Sequence, residues 1–242
     1  MKKLLDNSDL QNSSIVANSL MNHSRKCSGG NSYEKELSFD ICGFLESRSK
    51  IERQTAWLDI CCGEAKALIE AANVFGKENR DSKINITGID LAGIFAPVLP
   101  EFKALQLIET SFEDYEPVSD FDLITCVHGL HYVGDKLGFL QKAVSYLKPN
   151  GIFLANLDLS NFKFENRTGA SRKIAKELRK NGFEYDSRKY LLICKSKREI
   201  EFDFEYLGAD DAAGANYTKQ AVVDSYYLDR SEPSAAADGR KL

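Results

Sequence analysis

The chain has 242 residues, 43% of them hydrophobic and 28% charged, an ordinary balance for a globular domain with a sizeable core. A formal net charge of −4 excludes a general electrostatic attraction to nucleic acid or anionic membrane, while leaving room for a local basic face. The six cysteines (Cys27, Cys42, Cys61, Cys62, Cys126, Cys194) show neither the paired spacing of a zinc site nor the density of a disulfide scaffold, so reduced thiols, a cytoplasmic setting and no metal are expected.

Residues 1–30 are rich in Ser, Asn and Lys. Lys2 and Lys3 are followed by Asp6, Asn7 and Asp9 rather than by the apolar core of a signal peptide, and no apolar run approaches membrane-spanning length. A weakly amphipathic piece near Ile15 to Met21 and a break at Gly29-Gly30 predict a loosely held helical arm. Leu37, Phe39, Ile41, Phe44 and Leu45 predict a helix, or one interrupted near Gly43. Trp57 to Ile60 lacks helical spacing and is short enough for a buried strand. A turn at Cys62-Gly63 follows, and then Ala65, Ala67, Leu68, Ala71 and Ala72 recur at helical period. Strand, glycine turn and helix together place backbone N–H groups and a positive helix N-terminus at the strand's carboxyl end.

Further along, Ile84 to Asp90 predicts a second strand ending in an acid, and Gly93 to Pro100 a loop or short helix. Leu105 to Ile108 is a third strand and Phe121 to Val127 a fourth, with His128-Gly129-Leu130-His131-Tyr132 just past its end. Lys136 to Leu147 is helical, Pro149-Asn150-Gly151 a turn, and Ile152 to Asn156 a fifth strand. Asn161 to Thr168 reads as loop, and Ser171 to Asn181 as a basic helix capped by Gly182. Tyr190 to Cys194 and Ile200 to Tyr206 are apolar-rich strands whose short connection, Lys195 to Glu199, predicts an antiparallel pair. Ala221 to Tyr227 suits one more strand or helix, and Ser234 to Leu242 a disordered end.

Leu58-Asp59-Ile60-Cys61-Cys62-Gly63-Glu64-Ala65 resembles the first motif of class I S-adenosylmethionine-dependent methyltransferases, an acid followed by a glycine-rich loop. The family usually has glycine where Cys61 and Ala65 stand. Thirty-one residues after Asp59, Asp90 matches the acid that hydrogen-bonds ribose hydroxyls in nucleotide-binding sheets. The order of helix, Lys-Pro-Asn-Gly and strand from Lys136 to Asn156 is also similar to the family, and the resemblance covers roughly residues 55–207. It implies an α/β, Rossmann-like, doubly wound sheet of seven strands, mostly parallel with the last strand antiparallel, plus an N-terminal helical lid. The implied division is a helical arm or lid over 1–50, a cofactor-binding domain over 51–207 and an extension over 208–242. The implied cofactor is S-adenosylmethionine, held by Asp59, Cys61, Gly63, Asp90, Leu91, Val127 and His128, with Tyr33 beside Asn31 and Ser32 as a candidate wall. Ser111 and Phe112 take the adenine position, with Asp114 as the substitute acid.

Methyl transfer from a sulfonium mainly requires donor and acceptor to be held in line. A base is needed when the acceptor carries a proton, and histidine has a suitable pKa. Of His23, His128 and His131, the last two follow the fourth strand: His128 is the candidate wall at the methionine end and His131 the candidate general base. The alternative is that both are hydrogen-bonded spacers and catalysis is by proximity. Cys61, Cys62 and Cys126 read as small buried residues rather than nucleophiles. The segment from Arg167 to Arg198 carries eleven Lys/Arg against three acids, which is either the solvated face of an outer helix or a surface for an acidic substrate. The Asn/Asp-Pro-Pro-aromatic tetrapeptide of base-amino methyltransferases is absent after the fourth strand. A small-molecule acceptor is therefore expected, with Asn156, Asp158, Asn161 and Tyr217 as candidate contacts and nucleic acid and membrane disfavoured. The alternatives are an RNA or protein methyltransferase using the basic face, a non-catalytic binding module, and a relative transferring another part of the cofactor.

Overall fold

The computed structural model describes residues 3–17, 24–77, 83–98 and 104–231. The Ser234 to Leu242 end, His23, and parts of the Ile15 to Met21 and Gly93 to Pro100 segments lie outside them. The chain forms a seven-stranded sheet and a separate three-stranded sheet. The strands of the large sheet are β1 (Thr55–Ile60), β2 (Ile84–Asp90), β3 (Leu105–Glu109), β4 (Phe121–Cys126), β5 (Leu147–Asn156), β7 (Phe183–Asp186) and β8 (Leu191–Lys195). Their order is β3-β2-β1-β4-β5-β8-β7. The first five run parallel and β8 runs antiparallel to β5, the Rossmann-like sheet that the motif order implies.

Strand β1 shows why this sheet is central. All six of its residues are buried, because both faces are covered. Leu58 and Ile60 join the core on one side and Trp57 the core on the other, as the two-residue strand period demands. Helix α5 (Lys66–Lys77) lays Ala67, Leu68, Ala71, Ala72 and Phe75 onto the Trp57 side. Each large apolar side chain buried this way contributes about 2 kcal/mol. Helices α3 (Tyr33–Leu37) and α4 (Ile41–Ser49) pack on that same face. Helices α6 (Lys136–Ser145) and α7 (Ala170–Lys180) cover the other.

Four expectations need correction. The helical break falls at Ser38, which takes a left-handed backbone (φ 49°) between α3 and α4, rather than near Gly43, whose N–H is bonded by the N-cap carboxylate of Asp40. The Pro149-Asn150-Gly151 turn lies within β5 as an outward bulge. Phe121 pairs with Leu147 but Leu123 with Ile152, because proline has no N–H to offer the ladder. Residues taken as loop after Asn161 contain β6 (Phe162–Phe164). Finally, β8 pairs with β7, not with the following segment. That next strand, β9 (Phe204–Asp210), instead pairs with β10 (Asp224–Asp229), and β10 pairs in parallel with β6. Loop length had predicted neighbours that the sheet separates.

The second sheet docks beside the carboxyl ends of the large sheet's strands. Tyr227 is buried, donates from its hydroxyl to Asp135 Oδ1 at 3.0 Å and accepts from the Leu137 N–H at 3.1 Å. Lys136 is fully buried, and its Nζ reaches Val133 O, Val223 O and Ser225 Oγ at 2.8–2.9 Å. Burial pushes its pKa down to about 7, opposed by nearby Asp224 and Asp135, while three acceptors match an ammonium's three protons. At the other end of the chain, Leu5 bridges Ala209 of β9, and Leu10 of α1 (Asn7–Gln11) packs with Ala209 and Val223.

Candidate active site

Open parallel sheets bind ligands outside the carboxyl ends of their strands, near the switch in strand order. The turns after β1, β2, β3 and β4 meet there. After β1 the backbone takes left-handed values at Cys61 (φ 60°), Gly63 (φ 58°) and Ala65 (φ 59°). The loop keeps a glycine-like path although two of these residues carry a Cβ, at a cost of about 1 kcal/mol each. Asp90 fastens this loop to the next strand. Its Oδ2 accepts from the Gly63 N–H at 2.9 Å and its Oδ1 from the Ala92 N–H at 3.0 Å.

Between these loops lies a mainly apolar cavity. Cys61, Ile89, Asp90 and Leu91 form one wall, Thr110 to Glu113 another, and Gly129, Val133 and Phe139 the floor. A Cβ at Gly129 would stand 2.5 Å from Cys61 Cβ and 2.8 Å from Cys126 Sγ, so only glycine lets the β4 turn approach the β1 turn. Asn7, Leu10 and Gln11 of α1, and Val16 of α2 (Ser14–Ala17), close the cavity from above. Asn7 donates to Glu113 Oε1 at 2.5 Å across the mouth. Ser111 does not stand alone: its Oγ donates to Asp114 Oδ2 at 2.7 Å.

Asp59 lies behind this cavity, fully buried. It accepts from Tyr33 Oη at 2.8 Å and Thr125 Oγ1 at 2.5 Å, and Trp57 Nε1 donates to that same Thr125 oxygen at 2.8 Å. Burial raises its pKa to about 7, against the lowering effect of those two hydroxyls. Tyr33 is thus a partner of Asp59 in the interior rather than a wall of the cavity.

His128 and His131 occupy a second, polar chamber. His128 has a left-handed backbone (φ 57°) and caps the short helical turn that carries His131. His128 Nδ1 lies 3.4 Å from His131 Nε2, which also lies 3.4 Å from Tyr217 Oη. Asn216 fixes the ring state. Its Oδ1 accepts from Thr218 N–H and Oγ1 at 2.9 and 2.7 Å, so its amide Nδ2 faces His131 Nδ1 at 3.3 Å. That network assigns the ring proton of neutral His131 to Nε2. Burial, then His128, drives the His131 pKa well below the ordinary histidine value. On the far side, His128 Nε2 lies 3.3 Å from Glu36 Oε2, near enough for attraction but off the line of a hydrogen bond. His128, followed by Arg25, holds the Glu36 carboxyl down at about 2, with burial opposing.

The structure therefore sorts the expected residues into three groups. Cys61, Asp90, Leu91, Ser111 and Phe112 line the cavity. Asp59, Tyr33 and Val127 are buried behind it, with Gly63 bonded to Asp90 in the connecting loop. His128, His131, Asn161 and Tyr217 meet in the chamber, and Asn156 Oδ1 accepts from the His128 N–H at 3.3 Å. Asp158 caps the turn before β6 through the Ser160 N–H. Sequence reasoning missed Glu36, Asn216 and the roof residues of α1. Glu36 had a signal, since it lies three residues after Tyr33 on a helix and so shares its face.

The family profile described as "methyltransferase domain" matches residues 33–190, more than half the chain and all of the strands that form this edge. The chain belongs to that family. No curated protein matches this methyltransferase-domain chain. Among solved structures it is similar to the plantazolicin methyltransferase BpumL (15% identity, 62% of this chain and 51% of that one, TM-score 0.39). Another similar structure is an S-adenosylmethionine-dependent methyltransferase of class I from Listeria monocytogenes (16%, 68% and 60%, TM-score 0.45). A third is CalS10, an amino pentose methyltransferase from Micromonospora echinaspora (18%, 58% and 55%, TM-score 0.40). The chain thus spans about half to three-fifths of these structures' length. Among the described residues no helix is long and apolar enough to cross a membrane.

Proposed function

We propose that this protein transfers a methyl group from S-adenosylmethionine to a small-molecule acceptor. The observation that carries the reading is the cavity at the switch point, where Asp90, Phe112 and Cys61, the first residue of the glycine-like loop, line one space. These residues fit the cofactor: Asp90 suits ribose hydroxyls, and Leu91 and Phe112 suit a flat adenine. The bound cofactor supplies an electrophilic methyl group. The chain's own task is to orient, exclude water and accept a proton. Helix α1 serves as the lid that excludes water over the adenosine side. His131, neutral because it is buried, is the general base, and His128, held beside the Glu36 carboxylate, is the wall next to it. The basic segment supports a small acceptor over a nucleic acid, because Arg167, Lys173, Lys180, Lys195 and Lys197 each pair with an acid of this chain.

Calorimetric titration with S-adenosylmethionine and S-adenosylhomocysteine tests the reading. Wild type is expected to bind both, and Asp90→Ala to lose roughly tenfold to a hundredfold in affinity, the worth of hydrogen bonds to a charged group. Absence of binding to folded wild type overturns it.

A further inference from the structure

We infer that the acceptor is a planar aromatic ring bearing a hydroxyl group, and that Tyr217 occupies its seat in the closed chain. The inference rests on the methyltransferase reading above and names the substrate class of that same site.

Tyr217 sits on the connection between β9 and β10, where Ala212, Gly214, Ala215, Lys219 and Gln220 are exposed. Its outer part is tied to itself, through Val222 N–H to Gly214 O at 2.9 Å and Lys219 N–H to Asn216 O at 2.9 Å, while its root is pinned at buried Val223, whose N–H bonds His131 O at 2.9 Å and whose carbonyl accepts from Lys136 Nζ at 2.9 Å. Its tip reaches into the polar chamber. There the Tyr217 ring lies face to face on Tyr190, with centroids 3.7 Å apart and planes 2° apart. Its hydroxyl ends 3.4 Å from His131 Nε2, and the His131 ring meets it edge-on at 77°. A flat slot with a basic nitrogen at one end is the shape complement of a phenol.

Two further features mark the slot as a binding surface rather than ordinary packing. Tyr190 holds a left-handed backbone (φ 52°), strain that persists where the surroundings over-determine a residue. Its carbonyl is fixed by the Leu157 N–H at 2.8 Å, so the platform is rigid. The stack itself is nearly eclipsed, and two electron-rich rings prefer offset or edge-to-face contact. A phenol made electron-poor by a withdrawing substituent is a better occupant than Tyr217.

The same connection also sets the base. While Asn216 donates to His131 Nδ1, the proton resides on Nε2, the nitrogen that faces the phenol position. Withdrawal of the tip, residues 212–221, removes Tyr217 from the slot and Asn216 from Nδ1 together, which lets Nε2 become the acceptor. In the reaction the phenol oxygen forms the O–CH3 bond. The S–CH3 bond breaks with its electron pair on sulfur, and the phenol proton passes to His131 Nε2 and then to solvent. Burial raises the Tyr217 pKa, and a phenol kept protonated in that position needs such a base.

The test uses the S-adenosylhomocysteine complex titrated with 4-nitrophenol, followed by its absorbance, and with cyclohexanol, followed by calorimetry. Tyr217→Ala is expected to bind 4-nitrophenol at least tenfold more tightly than wild type, and adding Tyr190→Ala to cost roughly fivefold to tenfold of that gain. Tyr217→Phe keeps the seat filled and should show no gain. Cyclohexanol should not distinguish the variants. Failure of Tyr217→Ala to gain affinity for 4-nitrophenol, or an equal gain for cyclohexanol, overturns the aromatic seat. Retained S-adenosylhomocysteine affinity shows that each variant is folded. Its absence in wild type is a failure of the proposed function instead, so the two failures are read separately.

Discussion

The cavity bounded by Cys61, Asp90 and Phe112 and the chamber around His131 share one edge of the sheet, yet they are built on opposite plans. The first is largely apolar, open enough to form a cavity, and assembled from turns that directly follow four consecutive parallel strands. The second is polar, filled by its own side chains, and drawn from α3, the β4 turn, β5 and the β9–β10 connection. A binding site for a shared cofactor needs only a preformed shape. A site proposed to move a proton needs charges and hydrogen bonds whose directions are fixed, and those come from residues far apart in the chain.

That division is open to direct attack, and the largest effect should come from the chamber. His131→Gln is expected to lower the rate of S-adenosylhomocysteine formation ~10²- to 10⁴-fold, the usual worth of a general base. Affinity for S-adenosylhomocysteine by calorimetry should stay within about twofold. A parallel loss of both would show that the two halves act as one.

A medium effect is expected at Asp59, behind the cavity. Its folded pKa of about 7 lies above the unfolded value of about 3.9. The folded state therefore binds the extra proton, and stability is greatest below pH 4 as far as this group is concerned. It falls by a few kcal/mol as the pH rises from about 4 to about 7. Asp59→Asn should flatten that slope in denaturant titrations. Trp57, the only tryptophan, touches the same Thr125 hydroxyl, so its fluorescence should titrate near pH 7 in wild type and not in the variant.

The smallest effect belongs to the loop itself. Ala65→Gly places glycine where φ is 59° and should stabilise the fold by about 0.5–1 kcal/mol in thermal unfolding. A destabilisation would mean that packing of the buried Ala65 methyl outweighs its backbone strain.

How far the sequence anticipates each half follows from the same contrast. Asp59, Gly63 and Asp90 lie in short strand–turn segments whose chemistry is local, and the family resemblance they carry implies the doubly wound sheet and its ligand-binding edge. The three-stranded sheet was hidden because β6 has three residues and its partner β10 lies far along the chain. Short strands carry too little periodicity to be seen. Pairing β8 with the next apolar run was reasonable for a five-residue connection, but Phe204 and Tyr206 have their neighbours in Phe164 and Tyr227. Tyr217 was recognisable as a polar aromatic near the site, whereas Asn216's hold on His131 Nδ1 depends on an amide orientation set by Thr218. No pattern of residue types encodes that.

The bridge between Leu5 and Ala209 gives the molecule a history as well as a shape. Residues at the start of the chain close the cavity beside Asp90, but an anchor of theirs is in β9. On a ribosome adding roughly 5–20 residues per second, roughly 10–40 seconds separate the emergence of one from that of the other. During that time the parallel strands can assemble in order while the roof, held at Glu113 through Asn7 and Gln11, lacks its anchor in β9. The nascent chain is thus an open vessel until its second sheet arrives, and ligand binding becomes a late event of its synthesis.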